Sequence, residues 1–131
     1  MERMNYSTGT PWEAAVGYSR AVRVGPFVYL SGTTASDEQG NVHGDDPYTQ
    51  AVYIFRKIER SLHEVGAAMT DVVRVRMFVT DIGLWQEVGR AHGEVFGAVR
   101  PVSTMVEISR LVDPRHLVEI EVDAVIAAVA Q

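Results

Sequence analysis

The stretch LVEIEVDAVIA, residues 117–127, alternates apolar and polar side chains and puts Glu119, Glu121 and Asp123 on one side of a β-strand. Carboxylates at every second position raise one another's pKa unless cations intervene. A carboxylate with a raised pKa can take a proton from water near neutral pH. The nearest candidate cations are Arg74 and Arg76, which share a face of a second alternating run, DVVRVRMFVTD. Cross-strand pairing of Arg74 and Arg76 with Glu121 and Asp123 is the simplest account of those four charges.

A third run, RPVSTMVEISRL (residues 100–111), places Val102, Val106 and Ile108 on one side and Ser103, Met105, Glu107 and Ser109 on the other. A strand buried on both sides would read as a continuous apolar run. The Ser103 side is therefore expected to line a polar space, on the same sheet face as Arg74, Arg76 and Glu119.

Other chemistries are poorly supplied. With no cysteine there is no thiol nucleophile, disulfide framework or cysteine–zinc site. Eleven of the twelve bases are arginine. The single lysine, Lys57, falls in the polar run RKIER, which reads as a solvated helix face and a poor place for a Schiff base. HEVGA at His63 begins like a zinc-protease helix, but Ala67 stands where the second histidine would be. The four histidines show no metal spacing, and no metal or cofactor is expected. His92 and Trp85 share an apolar helical stripe and read as core. No glycine-rich phosphate loop or GxSxG turn occurs.

The elements that must position these residues are short and regular. Residues 1–13 show no period and read as an arm on a single domain spanning 1–131. AVRV and FVYLSG form a hairpin around Gly25-Pro26. Asp46 and Pro47 open a helix whose apolar positions Ala51, Phe55, Ile58, Leu62 and Val65 form one stripe, and Gly66 ends it. In the next strand Val73, Val75, Met77 and Val79 share one face. Asp81 caps a second helix, about 82–96, with Ile82, Trp85, Val88 and His92 inward. The order is ββαβαββ, an α+β fold with a mixed sheet covered on one face by two helices. The uncovered face carries charge together with Phe78 and Met105, so it is expected to meet other subunits.

The formal charge of −5, with 17 acids and 12 bases, argues against nucleic acid as the main partner. No apolar run approaches the ~18 residues a membrane span needs, and no signal peptide is visible, so a cytoplasmic location is expected.

Three stretches carry a family resemblance: VGYSRAVRVGPFVYLSGTT, QAVYIFRKIERSLHEVGAAMTDVVRVRMFVTD and RPVSTMVEISRLVDPRHLVEIEVDAV. Over roughly Val16 to Ala127 the chain resembles the Rid family of reactive intermediate deaminases, also called the YjgF or L-PSP endoribonuclease family. The resemblance implies a chorismate-mutase-like protomer, a homotrimer with a central barrel, and small-molecule clefts between subunits. It places the family's ring-stacking tyrosine on Tyr18 and the cleft serine and glycine on Ser31 and Gly32. The water-orienting glutamate falls on Glu119. It also places the cleft strand on Ser103, Thr104 and Met105. There the family's carboxylate-binding arginine is replaced by Ser103, its usual cysteine by Met105, and an asparagine of the second helix by Gly89. Arg20 and Arg100 are the cations that could stand in for the missing arginine.

Three functions follow as expectations. The first is an enamine or imine deaminase, a hydrolase acting on C–N bonds, of altered specificity because Ser103 replaces arginine. The second is a non-catalytic ligand-binding or regulatory trimer. The third and weakest is an endoribonuclease, which the acidic charge and the lack of a basic, aromatic-interleaved stripe oppose.

Overall fold

The computed structural model describes residues 1–127. The hairpin forms where Gly25 and Pro26 interrupt two β-rich runs. Strand β2 (Ala21–Val24) turns through Gly25, at φ 58°, into β3 (Phe27–Leu30). The helix that follows, α2 (Pro47–Glu64), starts where expected: the Asp46 carboxylate accepts from Thr49 N–H at 2.8 Å. It stops at Gly66, whose φ of 84° suits the left-handed position after a helix. Strand β4 (Val72–Val79), helix α3 (Trp85–Phe96), β5 (Val102–Glu107) and β6 (Val118–Val125) complete the ββαβαββ order.

Two elements precede that order. Residues Arg3–Tyr6 form an edge strand, β1, paired antiparallel with β2, and Pro11–Val16 form a short helix, α1. The arm is therefore folded. Buried Glu13 holds it, accepting from the Ser7, Thr8 and Thr10 hydroxyls and from Thr8 N–H.

The six strands lie in the order β1-β2-β3-β6-β4-β5, antiparallel except for β4 and β5. Helices α2 and α3 cover one face. Val75, Met77, Val79, Val118, Ile120 and Val122 pack there against Ile54, Phe55, Ile58 and Leu62 of α2 and Val88 and Phe96 of α3. Fully burying each such side chain stabilises the fold by about 1.5–3 kcal/mol. Among the described residues no helix is long and apolar enough to cross a membrane.

Several expected orientations change. A register shift between Val72 and Arg74 turns Val72 inward and leaves Val73 exposed. Ile82 lies in a 3-10 turn and Trp85 starts α3 at its edge, and both are exposed rather than core. His92 is half-buried against Phe55 and Phe96, as a core histidine should be. The largest change is in β5. Its parallel register sets Ser103 beside Val75, Met105 beside Met77 and Glu107 beside Val79, all on the helix side. Val102, Thr104 and Val106 instead share the open face with Arg74, Arg76 and Phe78. The alternation was legible, but its side was not. An edge strand exposed on both faces carries no apolar signal to orient it.

Candidate functional site

Glu119 sits on the open face of β6, where a local irregularity sets its surroundings. Pairing of β3 with β6 runs from Phe27↔Val125 to Tyr29↔Asp123. It resumes at an isolated bridge, Thr33↔Ile120, with backbone bonds in both directions. Four steps on one side thus match three on the other, and the extra residue makes a bulge at Leu30–Gly32. Bulges re-aim the chain beside functional sites. Here the bulge lays the Gly32 backbone against Glu119. A Cβ on Gly32 would stand 2.9 Å from Glu119 Cδ and 3.0 Å from its Oε2.

Arg20 reaches the same residue from the other side. Its Nη2 donates to the Gly32 carbonyl at 2.9 Å, and its guanidinium lies 5.8 Å from the Tyr18 ring centroid. Arg20 Nε is buried and has no hydrogen-bond partner among the described residues. Ser31 is fixed as well: its Oγ donates to the Ser19 carbonyl at 2.6 Å and its N–H to the Arg20 carbonyl at 3.0 Å. Tyr18 follows Gly17, which ends α1 at φ 90°, and its N–H donates to the Glu13 carbonyl. The clasped arm therefore sets where Tyr18 stands.

The three carboxylates of β6 divide. Arg76 Nη1 lies 3.4 Å from both Glu121 Oε1 and Asp123 Oδ2, so the two carboxylates share one guanidinium, where Arg74 and Arg76 together were expected. Among the described residues Arg74 forms no ion pair, and neither does Glu119. Burial pushes the Glu119 carboxyl above its ordinary range, Arg20 pulls it part of the way back, and Glu121 adds a small upward push. This is the profile of a carboxyl that can exchange a proton with a reacting group.

The family model for endoribonuclease L-PSP matches residues 8–126. The chain belongs to the YjgF/Rid (L-PSP) family. A Mycobacterium tuberculosis structure described as a member of the highly conserved YjgF/YER057c/UK114 family is 49% identical. It covers 95% of this chain and 100% of its own, with a TM-score of 0.88. An uncharacterized protein of Streptomyces coelicolor is 37% identical over 93% of this chain and 91% of its own length. A RutC family protein of Pyrococcus abyssi is 32% identical over 82% and 84%.

Against the family pattern, one protomer brings together only part of the expected site. Tyr18, Arg20, Ser31, Gly32 and Glu119 cluster around the bulge. Ser103 and Met105 do not join them. They lie on the other side of the sheet, on β5, with β4 between β5 and β6. Two strand spacings alone separate β5 from β6 by about 10 Å. Thr104 faces the open side next to Arg76 and is exposed. Arg100 caps a helix: at φ 55° it follows α3, with its N–H on the Phe96 carbonyl and its Nε donating to the Gly97 carbonyl at 3.0 Å. That leaves Arg20 as the candidate cation beside Glu119.

A pocket of about 380 Å³ opens next to this cluster, bounded by Tyr18, Ser19, Ser31, Tyr29, Asn5 and Arg3. Composition did not single out Lys57 for this region. It is half-buried rather than solvated, and its Nζ donates to the carbonyls of Thr34 at 2.7 Å and Ser36 at 2.6 Å. Burial, and then the charge of Arg20, pull its pKa down to about 8. The signal was helical spacing. Lys57 lies three residues after Ile54, four before Ser61 and seven after Gln50, and all three are buried.

Proposed function

We propose that the protein is a hydrolase of small imines or enamines, acting as a homotrimer with its ligand cleft between subunits. The observation that carries this reading is the division of the β6 carboxylates. Arg76 pairs with both Glu121 and Asp123, while Glu119 stays unpaired, partly buried and raised in pKa on the Gly32 backbone. The chemistry follows from that placement. Glu119 accepts a proton as water adds to the carbon of the protonated imine, C=NH2+, giving a neutral carbinolamine. It returns that proton to the nitrogen as the C–N bond breaks and takes up the hydroxyl proton as the C=O forms, leaving a carbonyl compound and ammonium. One water is consumed and no cofactor is required.

The trimer reading is supported by the separation of Ser103 and Met105 from Glu119. A neighbouring β5 reaching the bulge would complete the cleft. Edge strand β5 exposes Val102 and Val106, as a strand awaiting a partner would. With serine at position 103, the substrate is not held by a cation from that strand, which sets the specificity apart from 2-imino acid deaminases that use one.

A ligand-binding trimer without turnover is the second reading, favoured by the replacements at Ser103, Met105 and Gly89. RNA cleavage, carried in the family's name, is the weakest. The net charge is −5 and Arg76 is already tied to two carboxylates, so among the described residues Arg74 is left on the open face beside them without an ion pair, short of a run of free cations for phosphates. The test combines light scattering with ammonia release from freshly generated 2-iminopropionate and 2-iminobutyrate against a buffer blank. A mass near three chains with release above the blank supports the hydrolase. A trimer with none supports the binder, and a monomer removes the cleft.

A further inference from the structure

The pocket beside the Glu119 cluster reaches away from β6 onto the folded arm. Asn5, Val22 and Tyr29 pair in a row across β1, β2 and β3, so they stand on one face of the sheet. With Tyr18 and Ser19 they bound the cavity of about 380 Å³, a size within the range of small-molecule sites. Of the positions that the family resemblance names, only Tyr18 and Ser31 fall on its wall. The polar side chains of this wall are spent on one another. Arg3 Nε donates to Asn5 Oδ1 at 3.0 Å, Asn5 Nδ2 to Ser19 Oγ at 2.9 Å, and Ser31 Oγ to the Ser19 carbonyl at 2.6 Å. The rings are not spent. Tyr29 is 50% exposed and Tyr18 39%, and among the described residues neither stacks on another ring. Arg20 stands over Tyr18 at 5.8 Å, whereas among the described residues no cation stands over Tyr29. Aromatic side chains gain about 150–250 Å² of burial each when fully covered, so Tyr29 holds apolar surface that a ligand can still cover.

We infer that this pocket takes a flat aromatic ring of the ligand, seated against Tyr29. The substrate class is then an arylalkyl imine or enamine. The C=N group in that name rests on the hydrolase reading, and the ring site does not. Ser31 borders the pocket and belongs to the bulge that carries Gly32 against Glu119, so a ring on Tyr29 leaves the other end of the ligand on the Glu119 side. Ser103 brings no charge, and a ring contact takes over the orienting role that a charged contact would have. Tyr29 is thus a specificity-determining residue, and the arm contributes to specificity by supplying β1 as one wall.

The experiment is an NMR titration of the assembled protein with 4-phenylbutan-2-one and with 5-methylhexan-2-one. These neutral ketones share one chain and end in a phenyl ring or an isopropyl group, so no ion pair enters the comparison. Wild type should bind the phenyl ketone at least about threefold more tightly, the order of preference that a ring–ring contact gives. Tyr29→Leu keeps an apolar side chain without the ring and should bind the two ketones alike. Tyr29→Phe keeps the ring and should keep the preference. Circular dichroism checks the fold, and Tyr29→Ile, well suited to a strand, serves if the leucine variant does not fold. Equal binding of the ketones by wild type, no binding of either, or the full wild-type preference in Tyr29→Leu overturns the inference. Ammonia release from 2-iminopropionate and 2-imino-3-phenylpropanoate separates the two readings. A ring preference lost in Tyr29→Leu, with no ammonia released by wild type from either imine, upholds the ring site and removes the hydrolase. Ammonia release by a wild type that binds the ketones alike removes the ring site and leaves the hydrolase standing.

Discussion

Arg20 and Glu119 both rest on Gly32, one through the carbonyl oxygen and the other against the Cα, and they do not touch each other. Glycine is needed there for space, since its φ lies outside the left-handed range. Gly32→Ala should therefore leave the fold nearly intact, with a stability change under ~1 kcal/mol. It should push the Glu119 carboxyl out of place. Displacing a catalytic group by about 1 Å can cost on the order of 100-fold in rate. The expected result is a trimer of wild-type Tm with ammonia release down at least tenfold.

Glu119 also has a thermodynamic signature. Its folded-state pKa is raised, chiefly by burial, so the folded protein holds its proton more tightly than the unfolded chain does. Stability is then lost as pH rises from the unfolded carboxyl value through the folded one. Glu119→Gln, neutral at every pH, removes that loss. Thermal melts should show the variant more stable than wild type near pH 8 and the two converging near pH 4. A variant less stable than wild type near pH 8 would mean that the ionised carboxylate is paired in the folded protein.

Lys57 gives the opposite slope. Its pKa falls from 10.5 to about 8, chiefly through burial and then through Arg20. The folded state therefore holds fewer protons between about pH 8 and 10.5, and the stability of wild type should rise with pH across that window relative to Lys57→Met. Near pH 7 the methionine variant strands the Thr34 and Ser36 carbonyls, each worth about 1–3 kcal/mol if left unpaired. Chemical denaturation at pH 7 and pH 10 measures both effects. Parallel curves at the two pH values would show that Lys57 titrates normally.

Glu13 connects the arm to the site. Three hydroxyls and a backbone N–H converge on its carboxylate, and its own carbonyl accepts from Tyr18. Glu13→Ala should destabilise the fold by roughly 1–3 kcal/mol. Hydrogen exchange should rise first in residues 3–18. Uniform loss of protection across the sheet would show that the arm is no separate unit.

Local chemistry made much of this fold legible. Asp46, Pro47 and Gly66 bound α2, Gly25-Pro26 turns the hairpin, and the alternation of β6 holds without a break. What stayed hidden depends on pairing with distant strands. RMNY has no period of its own and becomes β1 only by bonding to β2. The face of Ser103 is set by parallel register with β4, and two bulges shift Val73 outward and Gly32 under Glu119. Glu119, Ser31, Gly32 and Tyr18 were reached through family resemblance together with the polar side of β6. Arg20 was one of two candidate cations, and its bond to the Gly32 carbonyl, against the tie of Arg100 to Gly97, separates them.

Whether Glu119 handles the proton of the attacking water is decided by ammonia release from 2-iminopropionate by wild type and by Glu119→Gln, each confirmed at the same mass by light scattering. Release above the buffer blank is expected for wild type and none above it for the variant. Release by Glu119→Gln at the wild-type rate would overturn that role for Glu119.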